Sequence, residues 1–157
     1  IKPLYAYGGK GIHFVTADMD HEPILSSLMT QYPEPAIIQP FLPDVKHGDK
    51  RIILINGQAV GALNRIPAKG SILSNLAQGG VAEKTTLTKR DQEICDTIGP
   101  ELKKRGIILA GIDVIGNYLT EINITSPTGI QSINQLDNVK LEALFWDEIE
   151  KIRHPGA

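Results

Sequence analysis

The sequence predicts an α+β protein in which antiparallel sheets are flanked by helices, and two observations lead to this class. First, two pairs of β-rich runs are each joined by a short turn signal, Asn56-Gly57 in one pair and Gly116-Asn117 in the other, which indicates β-hairpins. Second, three stretches outside these runs carry apolar residues at helical spacing. The predicted strands cover residues 50–56, 58–65, 107–115 and 118–125, and the predicted helices cover residues 22–32, 88–105 and 140–153.

Composition sets limits on the function. The chain has 157 residues, of which 41% are hydrophobic and 22% charged, as expected for one globular domain or two small lobes. The net charge of −2 does not favour nucleic acid or an anionic membrane as a partner. The single cysteine, Cys95, lies in a predicted helix and is expected to be a packed side chain. Because the chain begins at Ile1 without a methionine, we expect a fragment that lacks the amino-terminal part of a longer polypeptide.

The first segment reads as a flap of strand, glycine-rich turn and strand. Residues 1–4 end a strand, Gly8-Gly9-Lys10-Gly11 form the turn, and residues 12–15 form a second strand. Backbone amides in such a turn can approach phosphate oxygens closely, although an ordinary flexible hairpin has the same pattern. The helix at 22–32 ends at Pro33. Residues 36–42 then predict a buried strand that Pro40 interrupts, so that its end can offer backbone groups to a heterocycle.

The middle of the chain predicts a hairpin, a long loop and a capped helix. Asp49 and Arg51 stand at the start of the first strand, and Arg65 stands at the end of the second. Residues 67–80 are rich in small residues without periodicity, which favours an active-site lid. Thr88 and Asp91 approximate a capping box for the helix at 88–105, which Gly99-Pro100 is expected to kink or split.

The hairpin at 107–125 carries three polar side chains with metal-binding chemistry: Asp113, Glu121 and Asn123. They share one face only if Ile112 pairs with Ile122, and this pairing requires an odd-numbered turn or a bulge. Three oxygen-bearing side chains on one face suit Mg²⁺ or Mn²⁺ beside a phosphate, whereas the alternative is a strand face that simply meets solvent. The opposite, buried face is then expected to hold Ile112, Val114, Ile122 and Ile124.

A series of motifs in this order resembles the ATP-grasp part of the bacterial glutathione synthetase family. The resemblance covers nearly the whole chain. It rests on the glycine-rich run, on the stretches 39–43, 48–51, 65–67, 75–80 and 111–113, and on the run from Thr120 to Ile130. It implies an ATP-grasp fold in which ATP lies between two α+β lobes. Residues 1–42 would belong to the central lobe, and residues 43–157 would form the carboxy-terminal lobe with the lid loop 67–80 and the metal hairpin 107–125.

The resemblance also implies a role for each site residue. Residues that would bind ATP are Lys2, Gly8, Gly9, Gly11, Gln39, Phe41, Leu42, Asp49 and Arg51, with Asp49 facing the ribose. Residues that would surround the phosphates and the acyl phosphate are Arg51, Arg65 and Asn75. Two Mg²⁺ ions, for which Mn²⁺ can substitute, would be held by Asp113, Glu121 and Asn123. Substrate carboxylates would lie at Ser126, Thr128 and Gly129.

The implied reaction is the ATP-dependent joining of γ-glutamylcysteine and glycine through an acyl phosphate, with release of ADP and phosphate. The resemblance further implies a cytoplasmic, homo-oligomeric full-length protein that needs no nucleic acid or membrane, and a fragment that is inactive alone. Two departures remove positive charge from the lid region, since Leu73 and Val81 stand where the family pattern has basic residues. They leave open a related ligase with another donor or acceptor. A nucleotide-binding module without turnover is the third possibility.

Overall fold

The computed structural model describes residues 1–6, 8–68, 71, 74 and 79–154, and its elements follow the predicted order closely. Its strands and helices are β1 (Lys2–Pro3), α1 (Glu22–Gln31), β2 (Ala36–Ile37), a 3-10 helix (Pro43–His47), β3 (Asp49–Ile55), β4 (Gln58–Ile66), β5 (Val81–Lys84), α2 (Lys89–Lys104), β6 (Leu109–Ile115), β7 (Tyr118–Asn123), α3 (Ile130–Asp137) and α4 (Leu141–Arg153).

Within this described part, the strands form two antiparallel sheets. The larger sheet has the order β5-β4-β3-β6-β7, and the smaller one pairs β1 with β2. Both central hairpins, β3–β4 and β6–β7, have the predicted antiparallel pairing. The α+β class with antiparallel sheets and flanking helices is therefore confirmed. The assignment of residues 1–42 and 43–157 to two lobes stays a prediction.

The central strand β3 supplies the core because its side chains alternate between two covered faces. Ile52 and Leu54 pack in a cluster with Ile94 and Cys95 of α2. Ile53 and Ile55 pack on the opposite face with Ile133 of α3 and Leu141 of α4. Asp49 and Arg51 have the same parity as Ile53, so the polar end of β3 continues the face that α3 and α4 cover.

The helix α2 begins with the predicted capping box. Thr88 Oγ1 accepts a hydrogen bond from the Asp91 amide, and the Asp91 carboxylate accepts one from the Thr88 amide. Lys50 of β3 also pairs with the buried Asp91 carboxylate, which ties the start of α2 to the sheet. Burial alone would raise the pKa of Asp91, but the hydrogen bonds from Lys50 and Thr88 lower it below its ordinary value.

The expected split of α2 at Gly99-Pro100 is wrong, because the helix runs without a break to Lys104, and a kink at this point stays a prediction. The packing of Gly99 explains why a glycine stands there. A Cβ atom on Gly99 would overlap the carbonyl oxygen of Gly57 in the β3–β4 turn. Cys95, one turn earlier, is a buried packed residue as predicted, and burial raises the pKa of its thiol to about 11.

We expect Gly99→Ala to destabilise the protein by about 1–3 kcal/mol, as overpacked sites do. The sign is informative, because alanine normally stabilises a helix interior relative to glycine. Urea unfolding monitored by circular dichroism measures the change. The exposed Thr97→Ala, two residues away on the same helix, is the matched control and should change stability little. A Gly99→Ala protein as stable as the parent would contradict the close approach of α2 and the turn.

Two predicted strands in the first third of the chain are wrong or too long. Residues 12–15 form no strand, and the segment is joined to the first one by a single pair of backbone hydrogen bonds between Ile1 and His13, at 2.9 and 2.8 Å. The expected buried strand at 36–42 is reduced to Ala36–Ile37, and Ile38 is 76% exposed. Pro35 and Pro40 flank this stretch and cannot donate to a ladder, which limits its pairing. No helix among the described residues is long and apolar enough to cross a membrane.

Candidate functional site

The hairpin β6–β7 has the register that the parity of its polar residues requires. Ile112 pairs with Ile122 and Asp113 pairs with Glu121, and the register shifts by one residue between Asp113 and Val114. This shift is the predicted irregularity, and it places Asp113 and Glu121 side by side on one face. Asn123 lies opposite Gly111 on the same face.

On the other face of this hairpin, only two of the four residues that were expected to be buried are buried. Ile112 and Val114 are fully packed, but Ile122 is 44% and Ile124 53% exposed. The expectation fails because Ile122 lies in the edge strand β7 and Ile124 lies beyond the end of that strand. The hydrophobic cluster under the sheet reaches Leu119 of β7 and goes no further along it.

Asp113 does not stand alone but belongs to a buried network of two arginines and two aspartates. Arg51 binds it in a bidentate manner, with Nε 2.5 Å from Oδ1 and Nη2 2.9 Å from Oδ2. Arg65 Nη2 lies 2.9 Å from Asp113 Oδ2 and 2.6 Å from Asp49 Oδ2, so one nitrogen bridges both carboxylates. All four side chains are largely buried. The network is formally neutral, which is the condition under which charges are tolerated inside a protein.

The sheet register explains how residues far apart in sequence meet in this network. Asp49 pairs with Arg65 across β3–β4, and Arg51 pairs with Asp113 across β3–β6. Cross-strand neighbours on one face have side chains within contact distance. The antiparallel order of β4, β3 and β6 therefore assembles the network directly from strand pairing.

Electrostatics within the network are unequal. Burial and the neighbouring Asp113 carboxylate raise the pKa of Asp49, although Arg65 and a hydrogen bond from Ser74 act in the opposite direction. Burial alone would lower the pKa of Arg65, but the carboxylates of Asp113 and Asp49 raise it. Asp49 Oδ1 is buried and has no hydrogen-bond partner in the part of the chain that the structure describes. A donor from a ligand would satisfy this oxygen.

A cavity of about 590 Å³ opens beside the network and is large enough for a nucleotide-sized ligand. Its wall brings together residues from both sheets and from the linker after β2. Aromatic rings contribute as well, since Phe14 and Phe41 are in edge-to-face contact with centroids 4.8 Å apart. Seven of the residues that the sequence singled out line it: Lys2, Gln39, Phe41, Leu42, Asp49, Asp113 and Glu121.

A smaller cavity of about 60 Å³ connects the glycine-rich run to the same acidic residues. Gly8 and Gly9 line it together with Arg51, and both glycines have positive φ angles of 68° and 78°. Such angles favour glycine and let the backbone approach a ligand closely. Lys2, Asp113 and Glu121 line both cavities, so the glycine-rich run adjoins the acidic pair.

Some predicted residues lie outside both cavities. Gly11 packs its backbone against Pro3 and Tyr32, and Arg65 lies buried between its two aspartates. Ser126, Thr128 and Gly129 follow β7 and precede α3, and the last two lie beside Arg51 of the site. Arg51 Nη1 donates a hydrogen bond of 3.0 Å to the Thr128 carbonyl oxygen, and Gly129 lies close to the Arg51 side chain. Asn75 and Leu73 lie outside the described residues, as does most of the predicted lid at 67–80.

Phe14, Ser74 and Tyr118 are among the residues that line the larger cavity without having been singled out from the sequence. Phe14 could have been found, because it is an aromatic residue directly after the glycine-rich run. Tyr118 could have been suspected from its place between the turn and Glu121. Ser74 gives no sequence signal of its own within a stretch rich in small residues.

The donor types match those of a hard divalent cation bound together with a phosphate, although both oxygens of Asp113 already accept from Arg51 and Arg65. Asp113, Glu121 and Asn123 offer carboxylate and amide oxygens, and the Asn123 Nδ2 atom is buried without a hydrogen-bond partner among the described residues. No group of three or more His, Cys, Asp or Glu side chains in the described part is arranged to hold a metal alone. Mg²⁺ typically takes one or two carboxylates and completes its shell with substrate phosphates and water, so two carboxylates suffice.

Known proteins are similar to this chain over nearly its whole length. The family model described as prokaryotic glutathione synthetase, ATP-grasp domain, matches residues 1–138. The chain is 52% identical to a glutathione synthetase of Mesorhizobium japonicum, over 96% of this chain and 48% of that protein. It is 51% identical to a glutathione synthetase of Brucella melitensis, over 98% of this chain and 49% of that protein. The chain thus spans about half the length of the curated relatives it matches.

Among solved structures, the chain is similar to a D-alanine–D-alanine ligase from Bacillus anthracis complexed with ATP. The TM-score is 0.54 with 14% sequence identity, and the match covers 85% of this chain and 48% of that one. At this identity the likeness concerns the fold. Together with the family match, it confirms the ATP-grasp fold.

Proposed function

Because the chain belongs to the prokaryotic glutathione synthetase family through its ATP-grasp domain, we propose that the complete protein containing it is an ATP-dependent carboxylate–amine ligase. It joins γ-glutamylcysteine to glycine, forming glutathione and releasing ADP and phosphate. The observation that carries the proposal is the larger cavity. Its wall contains the linker proposed to bind the base, Lys2, and the acidic pair of Asp113 and Glu121. The relatives' names support the choice of substrates.

In this proposal ATP occupies the larger cavity with its phosphates toward the glycine-rich run. The linker residues Gln39, Phe41 and Leu42 hold adenine. Their backbone groups are not paired in a strand, so they can form hydrogen bonds with the edge of the base. Asp49 faces the ribose. Lys2 lies between the two cavities and is suited to the phosphates. The glycines that complete the nucleotide site are Gly8, Gly9 and Gly11.

The first step transfers the γ-phosphoryl group of ATP to the donor carboxylate. A carboxylate oxygen forms the new P–O bond, and the bond between the γ-phosphorus and the β-phosphate oxygen breaks. ADP is the leaving group, and the donor becomes an acyl phosphate. Arg51, Arg65 and Asn75 are proposed to place positive charge and donors around the phosphoryl group. Two divalent ions, Mg²⁺ or Mn²⁺ held by Asp113, Glu121 and Asn123, would supply neutralisation of phosphate charge when bound.

In the second step the amine nitrogen of glycine attacks the acyl carbon. The C–N bond forms, the amine loses a proton, and the C–O bond to phosphate breaks from the tetrahedral intermediate. Ser126, Thr128 and Gly129 are proposed to bind substrate carboxylates, and the hydrogen bond from Arg51 to the Thr128 carbonyl supports their placement near the phosphoryl group. Closure of residues 67–80 would exclude water from the acyl phosphate.

The remaining parts of the proposal concern the complete protein. Residues 1–42 would be part of the central ATP-grasp lobe and residues 43–157 the carboxy-terminal lobe. The complete protein would be a cytoplasmic homo-oligomer. A related ligase with another donor or acceptor is the second candidate, because Val81 places an apolar side chain, 59% exposed, where the family pattern has a basic residue.

The test supplies the complete protein with ATP, Mg²⁺ and γ-glutamylcysteine and measures phosphate release with and without glycine. Glycine-dependent release that yields glutathione by mass spectrometry is the expected result. Turnover with another amine but not with glycine would favour the second candidate. Absence of phosphate release with every acceptor in a panel of amino acids would reject the ligase proposal.

A further inference from the structure

We propose that Ser74 is a positioning residue that orients the Asp49 carboxylate toward a sugar hydroxyl of the bound nucleotide. This inference rests on the proposed function, because it requires a ribonucleotide in the larger cavity. It adds a role for a residue in the stretch after β4 that neither the motifs nor the reaction steps use.

The contacts at Asp49 are asymmetric. Ser74 Oγ donates to Asp49 Oδ2 at 2.9 Å, and Arg65 Nη2 lies 2.6 Å from the same oxygen. Both Ser74 and Asp49 line the larger cavity, and Ser74 is 6% exposed. The second oxygen, Asp49 Oδ1, is buried and has no hydrogen-bond partner among the described residues.

Two donors on one oxygen fix the rotation of a carboxylate group, which is otherwise broad and nearly two-fold about its last side-chain bond. Oδ2 is then committed to the protein, and Oδ1 is the oxygen left to accept. A buried acceptor without a partner is costly. A ligand that donates to Oδ1 removes this cost, whereas the same ligand without the donor leaves it in place.

The chemistry of the surroundings selects a neutral hydroxyl as the donor. Arg65 already compensates Asp49, so a second cation is not required, and the negative charges of Asp49 and Asp113 disfavour an anion at Oδ1. Asp49 also lies between two sets of residues along the site. Through Arg65 it is joined to Asp113 on the phosphate side, and along the chain it follows the linker at 39–42 on the base side. The sugar is the part of a nucleotide that lies between base and phosphates.

The experiment compares ATP with 2′-deoxy-ATP and 3′-deoxy-ATP in binding to the complete protein by isothermal titration calorimetry. The parent protein is expected to bind ATP about tenfold more tightly than one of the deoxy analogues, a typical effect for a hydrogen bond to a charged group. Ser74→Ala should reduce this preference to about threefold or less. Ser74→Thr retains the hydroxyl and should keep it. Ser27→Ala, on the exposed surface of α1, is the control and should not change it.

The outcomes separate this inference from the function on which it rests. A parent protein that binds ATP but does not distinguish either deoxy analogue would overturn the role of Asp49 Oδ1, whatever the variants do. An unchanged preference in Ser74→Ala, or a lost preference in Ser74→Thr, would overturn the role of Ser74. Failure of the parent protein to bind ATP at all would instead reject the proposed nucleotide site and the inference with it.

Discussion

Asp113→Asn is expected to lower the Mg²⁺-dependent ligase activity of the complete protein by about a thousandfold, since a metal-bound phosphoryl group loses several kcal/mol of charge stabilisation. The change removes one of the two carboxylates on the face of the hairpin that is proposed to bind the metal, and it leaves the side-chain shape almost unchanged. Steady-state kinetics across a range of Mg²⁺ concentrations measures the effect. Nucleotide-dependent binding of Mn²⁺, followed by electron paramagnetic resonance, provides a readout independent of turnover.

A control separates loss of the metal from loss of the fold, because Asp113 also holds Arg51 and Arg65. Asp147→Asn, on the exposed surface of α4, makes the same chemical change away from the site and should leave the kinetics unaltered. Thermal unfolding of each variant shows whether the protein remains folded at the assay temperature. Unchanged Mg²⁺ dependence in a folded Asp113→Asn protein would contradict the assignment of this residue as a metal ligand.

Arg65→Met is expected to cost about 3–5 kcal/mol of unfolding free energy, the usual result of removing one partner from a buried ion pair. Methionine fills much of the same space, but it leaves the carboxylates of Asp49 and Asp113 close together with less compensation. Urea unfolding at pH 7 measures the loss. Arg105→Met is the matched control, since Arg105 pairs with Glu101 on the surface and such pairs contribute about 1 kcal/mol or less.

The pH dependence of the Arg65→Met variant has a definite sign. Burial already raises the pKa of Asp49, and loss of the guanidinium raises it further. The folded state then binds a proton at a pH where the unfolded state does not, so its stability increases as the pH falls through the folded pKa. The deficit of Arg65→Met relative to the parent protein should therefore be smaller at pH 5 than at pH 8. A deficit that grows toward pH 5 would be evidence against a buried, charge-coupled Asp49.

The sequence predicts those parts of the site that local pattern controls. Parity predicts that Asp113 and Glu121 share a face of β6–β7 only if an odd-numbered turn or a bulge pairs Ile112 with Ile122, and the structure has this pairing. The start of α2 is also predicted by a local signal, the capping box formed by Thr88 and Asp91. Resemblance adds candidate roles, and these remain proposals for the individual side chains.

The parts that local pattern does not predict depend on long-range order. The sequence presents Arg51 and Arg65 as separate cations, and their shared hold on Asp113 emerges only from the pairing of β3 with β6, 62 residues apart. The exposure of Ile122 likewise depends on β7 being the outermost strand, which no local signal specifies. Ser74 enters the site through a tertiary contact with Asp49 that its own neighbours in sequence do not indicate.

The one-residue shift in β6–β7 makes the length of this hairpin a chemical variable. Without the shift, a hairpin of the same length with the same two-residue turn would pair Ile112 with Glu121 and turn the two carboxylates to opposite faces. Deleting the one extra residue of β7 would keep Asp113 opposite Glu121 in a regular ladder. The shift is therefore the means by which a hairpin of this length brings the acidic pair together, and shortening the hairpin by one residue removes the need for it.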